Sequence, residues 1–143
     1  MNNRRHFLKV LGASALVVSC GGEGGQSEAS GTFSAGNVSA LSVGTIKAIS
    51  GQPLVIARDA KGLYAMSTIC THEQCDMNGG SGHISNTELV CTCHDSHFDT
   101  NGNRTSGPAS GQLKHYLVTV DATGEITITA GSVVPGDTRV AVA

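Results

Sequence analysis

The sequence predicts an all-β domain, built as a small antiparallel sandwich or barrel. Short β-rich runs alternate with turn signals from Val38 onward. The runs 117–120 and 126–129 show the two-residue alternation of half-buried strands. Beyond the first twenty residues, no run of ten or more residues has a helical period, so we expect little helix.

Each predicted strand lies between residues that favour turns. In chain order the predicted strands are Val43–Ile49, Leu54–Arg58, Leu63–Thr68, Glu88–Cys91, Tyr116–Asp121 and Glu125–Thr129. The segment 59–62 joins the second strand to the third, and the segment 122–124 forms the last hairpin turn. The length of 143 residues is enough for one domain, and the sequence has no internal repeats.

The composition offers little material for a large apolar core. Aromatic residues make up 3% of the chain and charged residues 14%, with 19 glycines and no tryptophan. Such a fold is expected to gain stability from a cross-link or a metal as well. Without residues 1–19 the chain has six Lys and Arg against eleven Asp and Glu, a formal charge near −5. This acidic balance argues against nucleic-acid binding, which needs a basic face.

The N-terminus resembles a bacterial export signal. Residues 3–9 read Asn-Arg-Arg-His-Phe-Leu-Lys, similar to the twin-arginine signal, and a short apolar stretch follows. Residues 17–20 resemble a lipobox, so that 1–19 would be the signal peptide and Cys20 the lipidated first residue of the mature protein. The alternatives are an amphipathic helix or a disordered tail, with a free thiol at Cys20.

The domain plan that follows has three parts. After the signal peptide 1–19, residues 20–36 are rich in Gly, Ser and Ala, which predicts a flexible tether. Residues 37–143 form the globular domain. We expect the chain in the bacterial cell envelope, on the periplasmic side, anchored to a membrane by lipid and able to swing on its tether.

Two segments concentrate the residues that can bind a metal. The first is Cys70-Thr71-His72-Glu73-Gln74-Cys75, and the second, residues 91–98, is Cys-Thr-Cys-His-Asp-Ser-His-Phe. Each supplies one Cys and one nearby His, as C-x-H and C-x-x-H. Structural zinc also takes two Cys and two His, but zinc motifs usually place Cys with Cys and His with His. A mixed pair in each segment favours a 2Fe-2S cluster, in which two Cys bind one iron and two His bind the other.

These paired motifs resemble those of Rieske proteins of the cytochrome bc complex type, and the resemblance covers roughly residues 38–130. It implies a three-sheet antiparallel β-sandwich, in which a small cluster-binding subdomain carries both loops. It also implies one Rieske 2Fe-2S cluster with four ligands, which are Cys70, His72, Cys91 and His94. Cys75 and Cys93 correspond to the family's disulfide between the two loops; the alternative is two free thiols.

Residues beside the ligands extend the resemblance. Gly107-Pro108-Ala109 is similar to the family's Gly-Pro-Ala turn over the cluster, and Ser96 matches a serine that donates to a bridging sulfide. Phe98 stands where high-potential members often carry Tyr, and Phe has no hydroxyl to donate. Gln74 and Asp95 replace glycines that are common in the family. The missing donor and the added carboxylate predict a midpoint potential below that of typical bc-complex members.

The resemblance implies one-electron transfer, and no catalytic residues of the chain's own are expected. The chain would be the iron–sulfur subunit of a quinol-oxidising or other respiratory oxidoreductase, with quinol or a redox protein such as a cytochrome as its partner. A free-standing, membrane-tethered redox carrier is the alternative. A binding module with a structural zinc is the alternative of another class.

Phe98→Tyr tests the role of the missing hydroxyl. We expect a higher midpoint potential in the variant, because the new hydroxyl can donate a hydrogen bond to a ligand sulfur. A redox titration of both proteins, followed by EPR, measures the difference. An unchanged midpoint potential would contradict the argument.

Overall fold

The computed structural model describes residues 26–143. The predicted signal peptide 1–19, the predicted lipidation residue Cys20 and the first residues of the predicted tether lie outside the described residues. Within residues 26–143, no helix has the length and apolar character needed to cross a membrane.

Strands dominate the described part of the chain, which confirms the all-β prediction. The helical structure there is one 3-10 turn, Val38–Ala40. The strands are β1 Thr32–Asn37, β2 Thr45–Ala48, β3 Leu54–Asp59, β4 Gly62–Ser67, β5 Gly82–Ile84, β6 Leu89–Cys91, β7 Ser96–Phe98, β8 Arg104–Ser106, β9 His115–Val120 and β10 Glu125–Val134.

The strands form two antiparallel sheets. The larger sheet has the order β1-β10-β9-β4-β3-β2, and the smaller has the order β5-β6-β7-β8. The structure thus has two sheets where three were expected, because one short stretch of pairing merges two of them. Strands β4 and β9 pair only through Ala65 with Tyr116 and Met66 with His115, and these two pairs join two three-stranded halves into one sheet.

Strands β3 and β4 lie at the centre of the molecule and are buried on both faces. Because successive side chains point to opposite faces of a strand, each of them contributes to two apolar clusters. Leu54 and Leu63 pack with residues of β1, β9 and β10. Val55 and Met66 pack with Leu89 and other residues of the small sheet and its loops. The small sheet is thus held against the central strands by its own apolar core.

Most strand predictions agree with the structure to within a few residues, but the tether prediction needs correction. Residues 32–36 of the predicted tether 20–36 belong to β1, which pairs with β10. Phe33 and Ala35 pack against the core, and backbone hydrogen bonds to β10 hold this stretch as a strand although its composition is small and polar. The short strands β5, β7 and β8 lie outside the predicted set, since three residues carry little periodicity.

Gly62 closes the β3–β4 hairpin at a point where no side chain fits. Its φ is +144°, and a Cβ there would overlap the carbonyl oxygen of Val140. That carbonyl accepts a hydrogen bond from the Leu63 N–H at 2.9 Å, and the Val140 N–H donates to the Leu63 carbonyl at 2.9 Å. The glycine therefore allows the C-terminal segment to pair with β4.

Gly62→Ala is expected to lower the free energy of unfolding by about 2 kcal/mol, because it combines backbone strain with loss of this pairing. Gly131→Ala is the matched control, since nothing lies within 4 Å of a Cβ built there. We expect the control to change stability by less than about 0.5 kcal/mol. Chemical denaturation of both variants measures the difference, and equal midpoints would contradict the argument.

Candidate metal centre

The first loop follows β4 and closes on itself through backbone hydrogen bonds. Ile69 and Asp76 form an isolated antiparallel bridge. Inside it, the Cys70 N–H donates to the Cys75 carbonyl at 2.9 Å, and the Gln74 N–H donates to the Cys70 carbonyl at 3.0 Å. The loop therefore has a fixed base, with the Cys70 side chain buried at 1% exposure.

The second loop joins β6 to β7. Cys91 pairs with Ser96 across these strands, so residues 92–95 form a four-residue hairpin loop. The Thr92 N–H donates to the Ser81 carbonyl at 2.9 Å, which ties the loop to the segment before β5. Cys91 is buried, whereas His94 at the loop's end is exposed.

A disulfide links the two loops. Cys75 and Cys93 are bonded, with 6.7 Å between their Cα atoms, as the resemblance implied. The Cys91 sulfur lies within 4.8 Å of both disulfide sulfurs. Among the described residues, Cys70 and Cys91 are the free cysteines, and both are buried.

The two loops also share an unusual backbone conformation. Gln74 and Asp95 both have φ of 59°, and they are the non-glycine residues with positive φ within 26–143. This left-handed region costs a residue with a Cβ roughly 1–2 kcal/mol, a cost that glycine would avoid. The left-handed residue has the same position in each loop, four residues after the buried cysteine, Cys70 or Cys91.

The two predicted histidine ligands meet at the exposed side of the loops. The rings of His72 and His94 have centroids 4.7 Å apart and are nearly perpendicular. A Glu73 carboxylate oxygen and a ring nitrogen of each histidine lie within 4.8 Å of one another, and the distance from Glu73 to His94 Nδ1 is 3.7 Å. Sequence reasoning did not single out Glu73, although its place between His72 and Cys75 was a signal.

The site therefore has a buried thiol side and an exposed imidazole side. Burial raises the pKa of the Cys91 thiol, and the neighbouring Cys70 sulfur raises it further. Two thiolates in apolar surroundings need positive charge beside them. A metal centre supplies that charge, so this donor set fits a centre with sulfur ligands inside and nitrogen ligands outside.

A third loop, residues 107–111, covers the junction of the other two. The Ala109 N–H donates to the buried Ser96 Oγ at 3.0 Å, which leaves the Ser96 hydroxyl proton free to donate elsewhere. Ser110 Oγ donates to the Thr71 carbonyl at 2.8 Å, and Thr71 Oγ1 donates to the Gly111 carbonyl at 2.9 Å. The third loop is thus bonded to both ligand-bearing loops.

The remaining residues singled out from the sequence have distinct places. Phe98 is fully buried in the same apolar cluster as Cys70 and Cys91, while Pro108 is exposed on the third loop. His97 lies outside the predicted ligand set: its Nδ1 is 3.1 Å from Glu88 and its Nε2 is 3.2 Å from Asp95. Hydrogen bonds to these two carboxylates raise the pKa of His97.

Together the fold and the site define a small β-sheet protein in which neighbouring loops carry two buried free thiols and two exposed imidazoles. A model of the Rieske [2Fe-2S] domain matches residues 32–117, which is more than half of the chain. The chain belongs to the Rieske [2Fe-2S] domain family. Its cofactor is a Rieske-type 2Fe-2S cluster.

Curated relatives are iron–sulfur subunits of cytochrome b6-f complexes. The subunit from Synechococcus sp. (strain CC9605) is 33% identical over 79 residues, which are 53% of this chain and 43% of that protein. The subunit from Prochlorococcus marinus (strain MIT 9515) is 32% identical over 79 residues, with the same coverage. The chain thus matches less than half the length of these relatives.

Solved structures share the fold. The cyanobacterial plasma membrane Rieske protein PetC3 from Synechocystis PCC 6803 superposes with a TM-score of 0.52 at 21% identity, over 68% of this chain and 99% of that one. A chain in the complex of reduced oxygenase and oxidized ferredoxin in carbazole 1,9a-dioxygenase superposes with a TM-score of 0.51 at 24% identity, over 73% of this chain and 96% of that one.

Gly107→Ala is expected to make the cluster less durable. Gly107 has φ of +85°, and a Cβ there would overlap the Asp95 carbonyl and come within 2.5 Å of Ser96 Cα. The variant would push the third loop off the second and admit water to the thiol side. We expect the visible absorption of the oxidised cluster to decay several-fold faster in air.

Gly111→Ala is the control in the same loop, because nothing lies within 4 Å of a Cβ built there. We expect this variant to lose its cluster at the rate of the parent. Equal decay of the two variants would contradict the covering role of the third loop.

Proposed function

We propose that Cys70 and Cys91 bind one iron of the cluster and that His72 and His94 bind the other. The observation that carries this assignment is the division of the site, with two free thiols buried on one side and two touching imidazole rings on the exposed side. Cys75 and Cys93 are removed from the candidate ligands because they form a disulfide.

The same division supports a role for each pair in electron transfer. When bound, the cluster supplies a one-electron couple close to the protein surface. The buried pair Cys70 and Cys91, together with the third loop, keeps water from the sulfur side. His94 is exposed and His72 is at least partly exposed, so an imidazole edge can form a hydrogen bond with a partner molecule and hold or release a proton there.

We further propose that the chain is the iron–sulfur subunit of a quinol-oxidising complex or of another respiratory oxidoreductase. Support comes from the curated relatives, which are named as subunits of a cytochrome complex. Quinol or a cytochrome would then be the redox partner. A free-standing tethered carrier is the second candidate, and the lipobox-like residues 17–20 favour it because a lipid replaces the transmembrane helix that usually holds such a subunit.

We also propose that the protein acts on the periplasmic side of a bacterial membrane. The twin-arginine-like residues 3–9 and the lipobox-like residues 17–20 support export and lipidation at Cys20. The disulfide between Cys75 and Cys93 is consistent with an oxidising compartment.

The ligand assignment predicts that His94 and His97 respond differently to the same substitution. His94→Gln is expected to lose most of its iron and the visible absorption of the cluster, because glutamine cannot replace the imidazole ligand. His97→Gln is the control three residues away, and it is expected to keep two irons per chain. Iron analysis of the purified variants decides, and a fully loaded His94→Gln protein would refute the assignment.

The anchor proposal is tested in cells by replacing the lipidation residue. Cys20→Ala is expected to move the protein from the membrane to the soluble fraction, and replacing Arg4 and Arg5 by Lys is expected to block export. Mild-detergent extraction of the parent then distinguishes the two functional candidates. Copurification with a haem-containing subunit supports the complex, whereas a protein that leaves the membrane alone supports the free carrier.

A further inference from the structure

The segment before β1, residues 26–31, is bonded to the domain and runs toward the metal centre. At one end, the Gly31 carbonyl accepts a hydrogen bond from the Ala130 N–H at 2.8 Å. At the other end, the Gln26 N–H donates to the Gln74 carbonyl at 2.9 Å. Gln74 immediately precedes the disulfide-bonded Cys75 in the first loop. Gln26 therefore lies at the end of the domain that carries the proposed cluster ligands, and Cys20 is six residues earlier in the sequence.

Glu28 fixes the middle of this segment. Its half-buried carboxylate accepts hydrogen bonds from Ser67 Oγ and from the Tyr116 hydroxyl at 2.7 Å, and Lys114 Nζ lies 3.6 Å away. Ser67 and Tyr116 are themselves buried. Burial, and then the bond to Glu28, raise the pKa of Tyr116, so its hydroxyl stays a donor at neutral pH.

Ser67 extends the link to the base of the first loop. Its Oγ also accepts a hydrogen bond from the Ile69 N–H at 3.0 Å, one residue before the proposed ligand Cys70. Glu28 is thus connected through one hydroxyl to the backbone that places Cys70. The segment 26–31 and the first loop are held as one unit.

Docking of residues 26–31 shortens the length of chain that can separate the domain from Cys20. Six residue steps separate Cys20 from Gln26, and a fully extended chain of that length spans about 20 Å. Were the segment free, twelve steps would separate Cys20 from Thr32 and span about 40 Å. A domain of this size is about 35 Å across. With the segment docked, the reach is shorter than the domain, so the domain cannot turn its cluster end away from the anchor.

We propose that the docked segment 26–31 holds the metal-centre loops toward the lipid surface, so that the exposed histidine side faces the bilayer that would dissolve a quinol. The proposal rests on the lipid at Cys20 proposed above. Tether length, rather than adhesion, sets this orientation, because the exposed carboxylates of Glu73 and Asp95 at this end would be repelled by anionic headgroups. The exposed histidine side therefore lies close to the lipid surface without binding to it.

The test uses the lipidated chain in phosphatidylcholine vesicles that contain some gadolinium-chelating headgroup lipid. Gadolinium at the surface speeds the relaxation of the reduced cluster's EPR signal when the two are close. We expect strong enhancement in the parent and several-fold weaker enhancement in Gln26→Pro combined with Glu28→Ala, which together remove the N–H donor and the carboxylate. Gln26→Ala keeps the N–H and is expected to behave like the parent.

Two results overturn the proposal while leaving the anchor intact. One is vesicle-bound parent protein without relaxation enhancement, and the other is equal enhancement in the parent and the double variant. A chain that fails to bind vesicles refutes the lipid at Cys20, and the orientation with it. In that case, hydrogen exchange of the soluble chain tests the docking itself: the Gln26 amide, which donates to the Gln74 carbonyl, is expected to be protected in the parent and to exchange faster in Glu28→Ala, which keeps that N–H.

Discussion

The disulfide between Cys75 and Cys93 is the constraint on which the metal centre depends. The two loops belong to different parts of the chain, and each contains a non-glycine residue in the left-handed region that costs roughly 1–2 kcal/mol. Closing a loop of 18 residues by a disulfide stabilises the folded chain by about 3 kcal/mol in the chain-entropy view. That gain is of the size needed to offset both strained residues. The bond also keeps the two buried thiols and the two imidazoles at one end of the molecule.

The scaffold below the loops explains how a chain poor in aromatic residues can carry such a site. Strands β3 and β4 are buried on both faces, so they serve the core of the large sheet and the core beneath the loops. The thiols of Cys70 and Cys91 belong to the second of these cores. Loss of packing there would expose the sulfur side of the centre, which couples the stability of the domain to the durability of its cofactor.

The sequence allowed the chemistry of the site to be predicted more fully than its surroundings. The paired motifs indicated the cluster type and the two loops, because these depend on residue types at fixed spacing, whereas the disulfide pairing was implied by the family resemblance. The strand β1 and the docking of Gln26 and Glu28 were not predictable, since a Gly/Ser-rich stretch gives no periodicity and its order comes from distant partners. The position of Glu73 beside both histidines depends on loop geometry that spacing alone does not define.

The central claim is that these loops hold one mixed-ligand 2Fe-2S cluster, and EPR of the dithionite-reduced protein tests it most directly. The protein should be made with an active iron–sulfur assembly system and analysed for iron and zinc. The account predicts two irons per chain and the rhombic signal of a cluster with His and Cys ligands. One zinc per chain without that signal would contradict it.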